Sequence, residues 1–276
     1  MKKIPRPAKF INILLASAIL IFSCKDENTL ENLNQRNLQA SQDYLLIEKT
    51  IVDIEREIEH AFISTQTTKD LPNYISLNND TSNQDTLIIN FGDENFLHLG
   101  HIKRGEINII YNQFLYNSGA IINTTFTDFY INNNLVQGTI TLENNGFNEN
   151  SNLEFKLSVN NLSLNTENGI INLTGEYSKE LKNGYSTQYD YIDNLYHVIG
   201  SAEGNSVNNN SFSVVITDPL KYDLSCFESS SCIISQGIVS ISPSIYSERT
   251  LDYGEGGCNC DISVSAGDET YPLIIN

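Results

Sequence analysis

The sequence predicts an all-β protein: a long antiparallel meander forming a strongly twisted or barrel-like sheet, preceded by one N-terminal amphipathic helix. Three observations carry this. From Thr86 onwards apolar and polar residues alternate, as in Leu87-Ile89-Phe91, Ile107-Ile109-Tyr111, Leu153-Phe155-Leu157-Val159, Phe212-Val214-Ile216 and Ile262-Val264. Strands of that kind have one packed and one wet face, which suits an antiparallel sheet. Between the runs lie Asn145-Gly146, Asn168-Gly169 and Asn183-Gly184, pairs that favour hairpin turns. Ahead of them Tyr44, Ile47, Ile51, Ile54, Ile58 and Ala61 recur at spacings of 3 and 4, the apolar stripe of a helix. A two-sheet β-sandwich is the alternative architecture.

Residues 1–23 read as a removable export signal. Lys2, Lys3, Arg6 and Lys9 form a basic start without acids, and Phe10 to Phe22 is mostly apolar but too short to span a bilayer. Ile21-Phe22-Ser23-Cys24 resembles a bacterial lipobox. That resemblance implies cleavage before Cys24 and acylation of its thiol, palmitate being the typical chain. At about 0.8 kcal/mol per buried CH₂, two or three chains anchor firmly. Lys25-Asp26-Glu27 resembles the signal that sends lipoproteins of Bacteroidetes-type bacteria to the outer face of the outer membrane. The two resemblances imply a lipid-anchored protein facing the cell exterior.

Residues 24–37 are polar and read as a flexible tether. Residues 38–65 read as the amphipathic helix, lying on the sheet or standing as a stalk; its stripe covers too few heptads to argue for a coiled coil. Residues 66–85, rich in Thr, Asn, Asp and Ser, read as a polar linker, and residues 86–276 as the β domain. Within that domain a faint repeat is visible. A Gly opens a strand-like run at Gly105, Gly169 and Gly237, and a second marker falls at Gly138 and Gly200. Gly100-His-Ile-Lys-Arg-Gly105, Phe129-Tyr-Ile-Asn-Asn-Asn-Leu-Val-Gln-Gly138 and Leu251-Asp-Tyr-Gly-Glu-Gly-Gly-Cys258 resemble segments of uncharacterised lipoproteins of the same bacteria. That resemblance spans roughly residues 88–264 and implies a fold, with no catalytic residue.

Four of the 16 Lys and Arg lie in the export signal, which leaves 12 against 34 acids, or −22, for the mature chain. Such a chain repels phosphate, so nucleic acid is excluded as a non-specific partner. The expected partners are the outer membrane, through the acyl chains, and an extracellular glycan or protein.

Once Cys24 is acylated, Cys226, Cys232, Cys258 and Cys260 remain, an even set that favours disulfides in an exported chain. Cys258 and Cys260 bridge each other poorly, which leaves two cross-pairings. The nested one, Cys226 with Cys260 and Cys232 with Cys258, suits two antiparallel segments. His98 and His101 read as surface histidines of a loop near Asp93 and Glu94; only a turn at Gly100 would bring them together. No firm metal site or cofactor is expected. Calcium is the ion that Asp190 and Asp193 would suit, with Asp218 and Asp223 bracketing another turn. Tyr185, Tyr189 and Tyr191 read as one face of a strand that could stack a sugar or meet a protein. No GxSxG, HExxH, P-loop or GxGxxG occurs. The leading expectation is a non-enzymatic binding or structural envelope protein. A surface hydrolase acting on glycan or peptide, with acids converging around Asp128, Asp190 and Asp193, and a periplasm-facing carrier of a hydrophobic ligand are the alternatives.

Overall fold

The computed structural model describes residues 37–78, 84–187, 189–228 and 232–273. Cys24, Lys25, Asp26 and Glu27 therefore lie outside the described residues. One helix, α1 (Gln39–Thr67), precedes the strands β1 (Ile75–Asn78), β2 (Asp85–Asn90), β3 (Phe96–His98), β4 (His101–Tyr111), β5 (Ile121–Ile131), β6 (Asn134–Phe147) and β7 (Leu153–Thr166). They continue as β8 (Gly169–Asn183), β9 (Leu195–Asn205), β10 (Ser211–Asp223), β11 (Ile234–Pro243), β12 (Arg249–Glu255), β13 (Ile262–Ala266) and β14 (Glu269–Leu273). Strand follows strand in a single antiparallel meander from β1 to β14, with short β3 paired back on the start of β4. The sheet is not closed into a barrel: β1 and β14 are its edges. The expected all-β meander behind one helix is what the chain forms.

The helix differs from expectation in its setting. It is neither a stalk nor a rod lying on one side of a sheet, because the sheet curls around it. Tyr44, Ile47, Ile54 and Phe62 are buried, as the stripe requires, and so are Asp43, Glu48, Asp53, Glu57 and Glu59 on the other faces. Acids of the helix, with half-buried Glu55 among them, meet strands from both halves of the meander. Glu57 pairs with Lys103 of β4, Glu55 with Lys179 of β8, and Glu48 accepts from the Tyr253 hydroxyl of β12.

Bulges produce the curl. Gly105 in β4 and Gly138 in β6 have φ of +82° and +110°. Each sits against a left-handed residue of the following strand, Asp128 (φ 44°) and Asn161 (φ 46°). A Cβ at Gly105 would lie 2.0 Å from the Asp128 carbonyl oxygen, and one at Gly138 2.4 Å from that of Asn161. Pairing slips register at both places, which bends and twists the strands. The repeated glycines thus mark mainly bulges: Gly169 does open β8, whereas Gly105 and Gly237 lie inside β4 and β11. The same physics corrects two of the Asn-Gly turns. Asn168-Gly169 closes the β7–β8 hairpin, but Asn145-Gly146 is a bulge within β6 and Asn183-Gly184 ends β8. A pair that tolerates positive φ serves a bulge as well as a hairpin.

The disulfides are Cys226–Cys258 and Cys232–Cys260, with Cα atoms 5.2 and 5.4 Å apart. This is the crossed pairing, not the nested one. Cys226 sits in a 3-10 turn (Leu224–Glu228), so the first pair is not carried on a straight strand. The two bridges tie the β10–β11 connection to the β12–β13 loop.

Candidate functional site

The interior is occupied by α1 and by the polar groups that hold it. Tyr44 donates to Glu48 Oε1 at 2.7 Å, and Tyr253 to Oε2 of the same carboxyl. Glu59 Oε1 accepts from the Tyr116 hydroxyl and from Asn194 Nδ2 at 2.8 Å. Burial pushes both carboxyls up to about 7 against the hydrogen bonds that favour their charged forms. Two apolar voids beside the helix hold about 30 Å³ each, room for about one water and no larger ligand.

The histidines are not surface residues. Leu99 (φ 47°) and Gly100 (φ 86°) form the tight β3–β4 turn, which sets His98 and His101 opposite each other and turns both toward α1. His98 Nδ1 lies 2.9 Å from Glu57 Oε1, and its Nε2 3.1 Å from the Tyr74 hydroxyl. Asn132 Nδ2 donates to His101 Nδ1 at 2.9 Å, which leaves Nε2 to face Asp53 Oδ2 at 3.1 Å. Burial raises Glu57, but His98 and the Lys103 ammonium outweigh it and hold the carboxyl below its usual range. Carboxylate, imidazole and phenol line up here as in a proton relay. Yet Tyr74 packs against Phe91 and Phe96, and burial raises its hydroxyl, away from a nucleophile. These groups fasten β3 and β4 to the helix.

The acids proposed for calcium work locally. Asp190 caps a 3-10 turn through Ile192 N, Asp193 accepts from the Thr187 hydroxyl at 2.7 and 2.8 Å, and Asp223 accepts from Ser225. Among the described residues no three His, Cys, Asp or Glu side chains group as a metal site requires. The tyrosines do not share a strand face. Residues 185–187 and 191–193 are 3-10 turns, because Gly184 and Asp190 break the extended chain. Tyr185 lies edge-on to Phe147 at 4.9 Å and Tyr189 stands 6.1 Å from Phe114, whereas Tyr191 turns to His60. Tyr185, Tyr189 and Phe147 form an exposed aromatic rim around the C-terminal end of α1, where Phe62 meets Phe114.

A second feature escaped the reading of the sequence. A trough of about 550 Å³ crosses the outer face of β7 to β11. Register aligns its lining in two rows. One runs from Asn161, whose amide donates to Thr174 Oγ1, through Thr174, Glu203 and Ser213 to Ser242. The other joins Asn172, Asn205 and Ser211, with Ser244 N donating to the Ser211 carbonyl. The signal was present as triplets with two polar residues about a central one: Asn-Leu-Thr at 172–174, Glu-Gly-Asn at 203–205, Ser-Phe-Ser at 211–213 and Ser-Pro-Ser at 242–244. Only the pairing register reveals that they stack.

No family model matches the chain, and no curated protein or solved structure shows significant similarity to it.

Proposed function

We propose that the chain is a lipid-anchored binding or structural protein of the bacterial outer membrane, held by acyl chains on Cys24, addressed outward by Lys25-Asp26-Glu27, and acting through its outer surface. One observation carries the emphasis on the surface: α1 fills the space the sheet encloses. A hydrophobic-ligand carrier needs an apolar cavity of several hundred Å³; the two apolar voids beside α1 are an order of magnitude too small, and the hollow of about 400 Å³ at the N-terminal end of α1, beside Gln39 and Asp43, is rimmed by Asn132, Asn133, Asn134 and Asn168 and is as polar as it is apolar. The acids proposed for a hydrolase are exposed or spent on local hydrogen bonds, which gives that reading no support.

The chain enters the domain at Asn37, which donates to the Tyr246 hydroxyl and accepts from Arg249 at the β11–β12 end. The aromatic rim lies at the other end of α1. With 29 residues at 1.5 Å each, the helix separates the two ends by about 43 Å. An anchor at one end would leave the rim facing away from the membrane.

Protease shaving of intact cells tests this, comparing the wild type with a variant in which Lys25, Asp26 and Glu27 are all alanine. Peptides released from the wild type, and protection in the variant, are the expected result. Protection of both, with digestion only after lysis, would place the protein on the periplasmic side and defeat the surface assignment.

A further inference from the structure

We infer that the trough across β7 to β11 binds an uncharged saccharide chain, laid perpendicular to the strands; the inference rests on the proposed surface-binding role and names its ligand. The first observation is chemical. The trough presents amides and hydroxyls from Asn, Ser and Thr, and Glu203 is its one charged side chain. No lysine or arginine lines it, and its single acid stands among eight Asn, Ser and Thr residues. An anion finds no counter-charge there and a cation only Glu203, but a polyol finds donors and acceptors along the whole trough.

The second observation is geometric. Adjacent strands are about 4.8 Å apart, so four intervals from β7 to β11 give a row about 19 Å long with a polar group at every step. The second row lies two residues along each strand, about 7 Å away. Two parallel rows at a regular pitch meet a polymer whose hydroxyls repeat along its length on both edges. An isolated small molecule would need convergent groups instead.

The third concerns which groups remain to be used. Among the described residues, the side chains of Ser211, Ser213, Ser244 and Glu203 have no protein hydrogen-bond partner and face solvent. Asn172 and Asn205, by contrast, bond each other at 3.0 Å, which fixes the amides in the middle of the second row. Preorganised amides beside unspent hydroxyls suit reversible, hydrogen-bonded recognition. Phe212 lies buried beneath the rows, so the contact is polar and not a stacking platform.

The test uses the full lipidated chain in detergent, with two sets of probes. The first is a panel of neutral hexasaccharides: β-1,4-gluco-, α-1,4-gluco-, β-1,4-xylo- and α-1,6-mannohexaose, each beside its trisaccharide. The second is the polysaccharide released from the producing cells' own surface. Binding at millimolar concentration or below, tighter for a hexaose than for its trisaccharide, is expected. Ser213→Val with Glu203→Gln, both outward-facing and compatible with a strand, should weaken it by about tenfold. Ser213→Tyr, which fills the trough, should abolish it, with an unchanged melting temperature confirming the fold in each case. Retention of the cells' own polysaccharide alone would identify an envelope glycan, and retention of hexaoses alone a foreign one; both support the inference. Failure of every probe overturns it, as does binding that survives in the trough variants and is lost in Tyr185→Ala/Tyr189→Ala. The two readings fail separately. Shaved cells with no saccharide bound would sink the trough and spare the surface assignment; protected cells with hexaose bound would do the reverse.

Discussion

Glu48 and Glu59 are buried on the same flank of α1, about three turns apart, each capped by tyrosine hydroxyls, and burial lifts both from an ordinary value of 4.5 to about 7. Their folded forms hold the proton more tightly than the unfolded chain does. Their contribution is therefore fully present below pH 4.5 and is lost as pH rises through 7. Each carboxyl is worth about 3 kcal/mol across that window. Glu57 acts in the opposite sense: its lowered value stabilises the fold above its ordinary range and the benefit fades in acid. The melting temperature should thus fall between pH 5 and pH 8, and Glu48→Gln should raise it at pH 8 while changing little at pH 5. An equal effect at both pH values would show that the Glu48 proton plays no part. Lys103 offers a second check. Lys103 and Glu57 have side chains 1% exposed, so Lys103→Met leaves a buried carboxylate held by His98 alone. A loss of about 3–5 kcal/mol is expected in urea unfolding, partly restored by adding Glu57→Gln.

At the scale of elements, the bulges are the devices that turn a meander into a wrap. Gly138→Ala keeps the hydrophobic pattern but puts a methyl group 2.4 Å from the Asn161 carbonyl at a φ of +110°. The β6–β7 pairing must open, and a loss of about 2 kcal/mol or more is expected in urea. A loss of only a few tenths would mean that the curl does not depend on that close approach. Reducing Cys226–Cys258 and Cys232–Cys260 should remove about 2–4 kcal/mol each, with hydrogen exchange rising first in residues 224–228 and 256–261. Much of this level was legible beforehand. Alternation fixes which face of β2, β4, β7, β10 and β13 is buried, and the spacing of Tyr44 to Ala61 fixes the helix. What escaped the sequence is whatever depends on register. Lys103 and Glu57 stand 46 residues apart in the chain, and only the packing of β4 against α1 brings them together. The trough is hidden for the same reason, since each of its triplets is an ordinary alternating strand until its neighbours are aligned.

For the whole molecule, the decisive fact is that among the described residues the sheet has no second sheet to pack on. Ile107, Ile109, Leu157, Leu173, Val239 and Leu251 come from five different strands, and all are buried in one core with Tyr44, Ile51, Ile54 and Phe62 of α1. An open sheet of this length cannot hide its apolar face alone, and closure into a barrel would leave a void where the helix now lies. The helix is equally dependent, because its buried acids find their tyrosine, lysine and histidine partners mostly on the strands. Residues 68–276 produced without α1 should therefore show no cooperative thermal transition and should bind a hydrophobic dye. Supplying residues 37–67 as a separate peptide should restore both the transition and the native near-ultraviolet dichroism. A fragment that melts cooperatively without the peptide would mean that the meander finds another way to bury its inner face, and that α1 is a passenger and not the core.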